Sequence, residues 1–255
     1  MNLICDTSVA VGYKSRAQIA RVVSEGWLAK NGYCLACDAN SLGRLPANTK
    51  CTDFECMSCG HRYELKTFRR KPEKSLPDGA YSSLMARIAD GTAPTLFLLQ
   101  RSDSWTVTTF TAVHSVFLTP TVVERRQPLS ATALRAGWVG CNIRMDLIGP
   151  DGQVRIIERG RVYSPVEVRQ QFRRFIPLSK VAPSERGWTT LTLSAIRTLS
   201  KRRFTLKDLY DRELQFGMHY PDNKNIRAKI RQQLQVLRDF GLVRFDGRGE
   251  YTALG

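Results

Sequence analysis

The chain has no apolar run near the roughly 18 residues of a membrane span. Its longest, TLFLLQ at 95–100, is the length of one buried strand. No basic leader precedes an apolar segment: the chain starts MNLICDTSVAVGYKSR, and Asp6 interrupts the run early, so it does not read as a signal peptide and a cytoplasmic location is expected. Internal repeats and low-complexity tracts are missing too, and a hydrophobic fraction of 42% makes a disordered or fibrous chain a poor fit. Acidic residues are scarce, with 23 Asp and Glu against 39 Lys and Arg for a net charge of +16. Such an excess favours a polyanionic partner, because phosphates reward lysine and arginine through counterion release.

What is present fits one or two domains in 255 residues. Apolar positions 19, 22, 23 and 27 recur at helical spacing from Ser15 and stop near Gly32. A cysteine-rich, turn-rich stretch follows to Gly60, and HRYELKTF then alternates as a strand. Beyond the basic loop RRKPEKSLPDG, Asp78 is expected to cap a short helix, PTLFLLQ and SWTVTTFTAVH to form neighbouring strands, and IGPDGQVRII a hairpin. Ser164, Pro165 and Glu167 form a capping box for the helix PVEVRQQFRRF. These features predict a mixed α/β unit over 1–182.

The polar connector LSKVAPSERG leads to a second unit, 183–255. Three helices are expected there, WTTLTLSAIRTLS, LKDLYDREL capped by Thr205, and NIRAKIRQQLQVLRDF, followed by two short strands joined at Asp246 and Gly247. Three helices and a hairpin in that order predict a winged helix-turn-helix. On the third helix Ile226, Ile230, Leu234 and Leu237 share one arc, while Arg227, Arg231, Gln232, Gln235 and Arg238 fall largely opposite. Arginine and glutamine can grip guanine and adenine bidentately, so this is the composition of a DNA-reading helix, with Arg244 and Arg248 on the hairpin suited to phosphate or minor-groove contact.

Seven cysteines is an odd number, and without a secretion signal it favours metal binding over disulfides. Cys34-x-x-Cys37 and Cys56-x-x-Cys59 stand at the spacing of a four-thiolate structural zinc site. His61 is a neighbour rather than a ligand, because four cysteines complete the shell. Cys5, Cys51 and Cys141 lack partners at motif spacing and read as small buried hydrophobes.

Asp53 stands before the second cysteine pair and Glu64-x-Lys66 after it. Hydrolysis of a phosphodiester calls for carboxylates that hold Mg²⁺ and for a group that orients the attacking water. Period two puts Arg62, Glu64 and Lys66 on one strand face, and Asp53 reaches that side if the chain doubles back at the cysteines. Zinc bound at the hairpin would then brace the catalytic residues. Alone, these charges are also compatible with a solvated strand. Trp138, in LRAGWVGCNI, reads by itself as a core residue or loop anchor.

The stretches YCLAC, DFECMSC with ELK, DGAY, AGWVGCNI, RGWT, IRQQLQVLRD and GRGEY agree in order and spacing with one family. From Tyr33 to the carboxyl terminus the chain resembles the DpnI family of methyl-directed type II restriction endonucleases. The resemblance implies a PD-(D/E)xK nuclease domain with an embedded zinc site, followed by a winged helix, although Thr52 stands where that pattern has proline. It implies Mg²⁺-dependent double-strand cleavage of DNA at GATC carrying N6-methyladenine, both domains reading the site. By motif position, Asp53, Glu64 and the Leu65 carbonyl would bind Mg²⁺, Lys66 would position or activate water, and Trp138 would contact the methyl groups. A monomer in solution is expected. Two other readings fit the same residues: a zinc-ribbon and winged-helix regulator without catalysis, and a restriction endonuclease indifferent to methylation.

Overall fold

The computed structural model describes residues 1–254 apart from 47, 48, 50, 71 and 73. Helix α1 (Arg16–Asn31) buries Val22, Val23, Trp27 and Leu28 and stops at Gly32, where any Cβ would stand 2.6 Å from the Leu28 carbonyl oxygen. Strands β1 (Gly43–Arg44), β2 (Phe54–Glu55) and β3 (Arg62–Phe68) follow, then β4 (Ser75–Ala80) and helix α2 (Tyr81–Ala89). Next come β5 (Thr95–Arg101), β6 (Val107–Val113), β7 (Val123–Arg125), β8 (Gly140–Arg144), β9 (Gln153–Glu158), β10 (Arg161–Val162) and helix α3 (Pro165–Arg173). The carboxyl-terminal part holds α4 (Pro183–Thr198), β11 (Arg203–Thr205), α5 (Leu206–Tyr210), α6 (Glu213–His219), α7 (Ile226–Asp239), β12 (Val243–Gly247) and β13 (Glu250–Ala253). None of the described helices is long and apolar enough to cross a membrane.

The architecture is mixed α/β. Its central seven-stranded sheet runs β1-β2-β3-β5-β6-β9-β10, and β3 and β5 are the one parallel pair among the described strands. A parallel pair needs a crossover, and β4 with α2 supplies it. Strand β5 lies in the middle of the sheet and is buried nearly throughout, so its alternation sorts two cores. Leu96 and Leu98 face one, Phe97 and Leu99 the other. The Phe97 core takes in α1, α3, Tyr63 and the cysteine-rich loop. The Leu96 core takes in α2 and the small sheet β4-β8-β7, and continues through Trp188 of α4 to Phe216, Leu234, Leu237 and Tyr251. The helix-turn-helix is therefore packed onto the sheet domain, with Arg197 and Asp151 paired at 2.6 Å across the seam.

Several expectations are met as drawn. Ser15 precedes α1, β5 and β6 are antiparallel neighbours, and the Ser164 box caps α3, with its hydroxyl accepting from Val166 N–H and the Glu167 carboxylate accepting from Ser164 N–H. Others are corrected. Asp78 caps nothing: α2 begins after Ala80, and Asp78 lies in β4, paired with Cys141 of β8. The hairpin expected over IGPDGQVRII is a 3₁₀ turn at Pro150–Gly152 leading into β9, because Ile148 is drawn into the core instead of pairing across. Half of the supposed connector belongs to α4, which starts with proline at its first turn. The second helix of the carboxyl-terminal unit is broken into α5 and α6, and the wing turns at Arg248 and Gly249, with Gly249 at φ +78°, rather than at Asp246 and Gly247. Residues 71 and 73 of the basic loop lie outside the described residues.

Candidate active site

The chain folds back on itself at the second cysteine pair. Strands β2 and β3 form an antiparallel hairpin, Phe54 opposite Tyr63 and Glu55 opposite Arg62, and residues 56–60 are its turn. Gly60, at φ +71°, closes that turn by donating its N–H to the Cys56 carbonyl at 2.8 Å. The thiols of Cys56 and Cys59 there meet those of Cys34 and Cys37, all four sulfurs lying within 4.8 Å of one another. Cys34 and Cys59 are 3.6 Å apart and Cys37 and Cys56 are 3.5 Å apart, separations that suit four ligands about 2.3 Å from a central ion.

The cluster is anchored from outside. The Tyr63 hydroxyl accepts from Leu35 N–H at 2.9 Å, and Arg169 of α3 donates to the Cys34 and Ala39 carbonyls at 3.0 and 2.8 Å. Burial pushes thiols up, but at Cys56 the N–H groups of Ser58 and Cys59 and the neighbouring thiols outweigh it and bring the group down to about 7, a site prepared for a thiolate. Four soft ligands in this arrangement can hold Zn²⁺. His61 stays outside: its Nε2 is 2.8 Å from the Thr95 hydroxyl, and burial lowers it to about 4. Cys5 and Cys141 are buried as expected, whereas Cys51 is half-buried at φ +53° in the turn that leads to Asp53.

The same hairpin brings the carboxylates together at its other end. Asp53 N–H donates to the Tyr63 carbonyl, and the Asp53 Oδ2 accepts from Leu65 N–H at 2.7 Å, so the acid is tied to the strand that carries Glu64 and Lys66. Period two holds on β3: Tyr63 and Leu65 pack toward α1, and Thr67 hydrogen bonds Ser24 of α1 at 3.0 Å. On the opposite face, Lys66 Nζ donates to Glu64 Oε1 at 2.6 Å and to Asp78 Oδ1 at 2.5 Å. Glu64 Oε2 is buried with no hydrogen-bond partner among the described residues, an acceptor left open to a cation. Burial raises both Asp53 and Glu64 above the ordinary carboxylate range. For Lys66, burial works downward, but the Glu64 and Asp78 carboxylates outweigh it and hold the lysine as an ammonium.

Two groups escaped sequence reasoning. Asp78 is 25 residues from Asp53 and reaches Lys66 only because β4 folds over the sheet face. Glu25 on α1 has a nearly buried carboxylate bridged by Arg21 at 3.3 Å and by Arg44. Arg21, Glu25 and Arg44 line a cleft of about 490 Å³ together with Asp53 and Thr49, with two guanidiniums facing two carboxylates. A heptad reading of α1 shows Arg21 and Glu25 at i and i+4, the one signal that pairs them; nothing local signals Asp78.

The residues expected from the sequence to contact DNA stand elsewhere. Trp138 is half-buried in the loop between β7 and β8 and belongs to neither core; its ring lies over Gly140, where a Cβ would come within 2.8 Å of it. Exposed Arg126 and Arg135 occupy the same loop, and exposed Arg125 ends β7. On α7 the buried face is the expected one, with Ile230, Leu234 and Leu237 fully covered and Ile226 partly so. Arg227, Arg231, Gln235 and Arg238 are exposed within an arc of about 80° at 100° per residue. Arg227 pairs with Glu213 at 2.8 Å and Arg231 donates to the Tyr210 hydroxyl at 2.7 Å, so both are steadied by the preceding helices. Gln232 is exposed but turns toward α4, lining a cleft with Ala182 and Glu185. Arg244 and Arg248 are exposed on the wing.

Comparison with known families gives two matches. The model of DpnI, the Dam-replacing family, matches residues 1–181, and that of its Dam-replacing helix-turn-helix domain matches residues 184–253. Membership supports a methyl-directed, DNA-binding restriction endonuclease and suggests a divalent metal for a nuclease centre. With both models placed end to end over nearly the whole sequence, the chain belongs to the DpnI family.

Proposed function

We propose that the protein is a PD-(D/E)xK endonuclease that makes Mg²⁺-dependent double-strand cuts in DNA at GATC bearing N6-methyladenine, acting as a monomer. Residues 1–182 form the nuclease unit and 183–255 the second DNA-reading unit. The observation that carries this reading is the convergence on one hairpin of Asp53, Glu64 and Lys66, with Asp53 bonded to the Leu65 amide and a Glu64 oxygen left buried with no partner among the described residues. Asp53, Glu64 and the Leu65 carbonyl would hold Mg²⁺. A metal ion at that point supplies a Lewis acid for the scissile phosphate and an acidified water.

The chain's own groups do the rest. Lys66, held as an ammonium, orients the attacking water and stabilises the negative charge that develops on the phosphorane oxygens. Arg21 and Arg44 in the cleft beside Asp53 receive the backbone on either side. The four cysteines hold zinc and fix the hairpin turn, so that Asp53 and Glu64 keep their register.

Methyl reading falls to Trp138. The N6-methyl group projects into the major groove as a small apolar knob, and an indole that no core claims offers it a flat apolar surface. Burying one methyl is worth about 0.8 kcal/mol, so one contact discriminates only about fourfold and two contacts about fifteenfold. Two reading units, the Trp138 loop and α7 with Arg227, Arg231 and Gln235, explain how a larger ratio arises; Gln232, turned toward α4, is left out of the reading face. Replacing Trp138 by alanine is expected to cut the preference for methylated over unmethylated duplex by about 5- to 15-fold, with cleavage chemistry kept at saturating enzyme. Fluorescence anisotropy with paired duplexes measures it, and an unchanged ratio removes Trp138 from the reading surface.

A further inference from the structure

We propose that Asp78 is a positioning residue for the reaction, the fixed anchor that keeps the Lys66 ammonium aimed at the scissile phosphate when Glu64 turns to the metal. This rests on the nuclease reading above and deepens it. A lysine stem has four rotatable carbons, and without a rigid partner its head group samples many positions. Lys66 has two partners, Glu64 Oε1 at 2.6 Å and Asp78 Oδ1 at 2.5 Å, and they differ in what else they must do.

Glu64 is the partner with divided duties. Its second oxygen is buried with no partner among the described residues, the group open to a divalent ion, and a doubly charged ion there would draw the carboxylate's charge away from the lysine. Asp78 has no such competing task. Its side chain is 4% exposed, and its Oδ1 also accepts the Gly79 N–H at 2.7 Å. The backbone beneath it is pinned by β8, with Asp78 opposite Cys141 and Ala80 opposite Gly140, and Tyr81 N–H donates to the Val139 carbonyl at 3.1 Å. The anchor is thus part of a strand ladder, while the lysine it holds is on a different sheet.

The test replaces Asp78 by the isosteric asparagine in the full chain and reads four quantities beside the unsubstituted protein. These are the single-turnover cleavage rate, the affinity for methylated duplex without metal, the Mg²⁺ half-saturation, and the reductive methylation of Lys66 mapped by mass spectrometry. Asp78→Asn is expected to slow cleavage by about 10- to 100-fold, the usual cost of losing a group that orients a working residue. Duplex affinity and Mg²⁺ half-saturation are expected to stay within about threefold, and Lys66 to become readily methylated.

A rate within threefold of the unsubstituted protein overturns the proposal. So does a loss restored by raised Mg²⁺, which would make Asp78 a metal ligand, or a loss of affinity in step with the rate, which would make its role structural. If the unsubstituted protein cuts no DNA, the endonuclease reading fails. The anchor is then judged by Lys66 labelling alone, and labelling unchanged by Asp78→Asn overturns it.

Discussion

Asp53→Asn lowers the cleavage rate of methylated DNA by at least about 10³-fold and leaves specific binding intact, within about threefold; 10³ is close to 4 kcal/mol of transition-state stabilisation. Asparagine can still accept the Leu65 N–H, now made to Asp53 Oδ2 at 2.7 Å, so the hairpin keeps its shape and only the charge is lost. Removing a negative group from a site that must receive a phosphate does not weaken binding and can tighten it, which separates this change from damage to the fold. Single-turnover rates and anisotropy on the same duplex measure the two halves. A variant that loses binding along with cleavage would contradict the assignment of Asp53 to the metal.

The second large effect comes from the sulfur cluster. Cys37→Ala, or exhaustive chelation, is expected to lower the melting midpoint by more than about 10 °C and to abolish cleavage. Structural zinc contributes on the order of 10 kcal/mol in small metal domains, and each kilocalorie lost moves the midpoint of a chain this size by about 2–4 °C. The effect spreads beyond the turn because Tyr63 joins the cluster to the centre of the sheet. Its hydroxyl is 3.2 Å from Cys34 Sγ, and its ring stacks on Phe97 at 4.6 Å. Elemental analysis of the purified chain should find one zinc, and calorimetry should show the drop. A zinc-free protein of unaltered stability would contradict a structural metal.

The parts of this molecule that sequence alone made legible are those governed by local rules. Doubled C-x-x-C spacing located four sulfurs that do converge, and period two placed Glu64 and Lys66 on one face of β3, away from Tyr63 and Leu65. Helical periodicity identified the covered side of α7, and the Ser164 box and the Thr205 cap marked helix starts. Long-range packing was not legible. Asp78 before Gly-Ala-Tyr has the local look of a helix cap, and only the pairing of β4 with β8 turns it toward Lys66. Ile148 and Gly149 resemble a strand end followed by a turn, yet burial of Ile148 bends the chain the other way. The pairing of Glu25 with Arg44 depends on how α1 crosses the sheet, which no spacing encodes. The wing turn was misplaced by two residues because Asp246-Gly247 and Arg248-Gly249 both offer a glycine, and the register with β11 and β13 selects the second.

The most direct test of the central claim is digestion of one plasmid prepared with and without adenine methylation at GATC, each form incubated with and without Mg²⁺. The account predicts double-strand cutting of the methylated plasmid alone, at GATC, and only with the metal. Equal cutting of both forms would contradict methyl direction and the role given to Trp138; cutting of neither, by protein that still binds the DNA, would contradict the endonuclease itself.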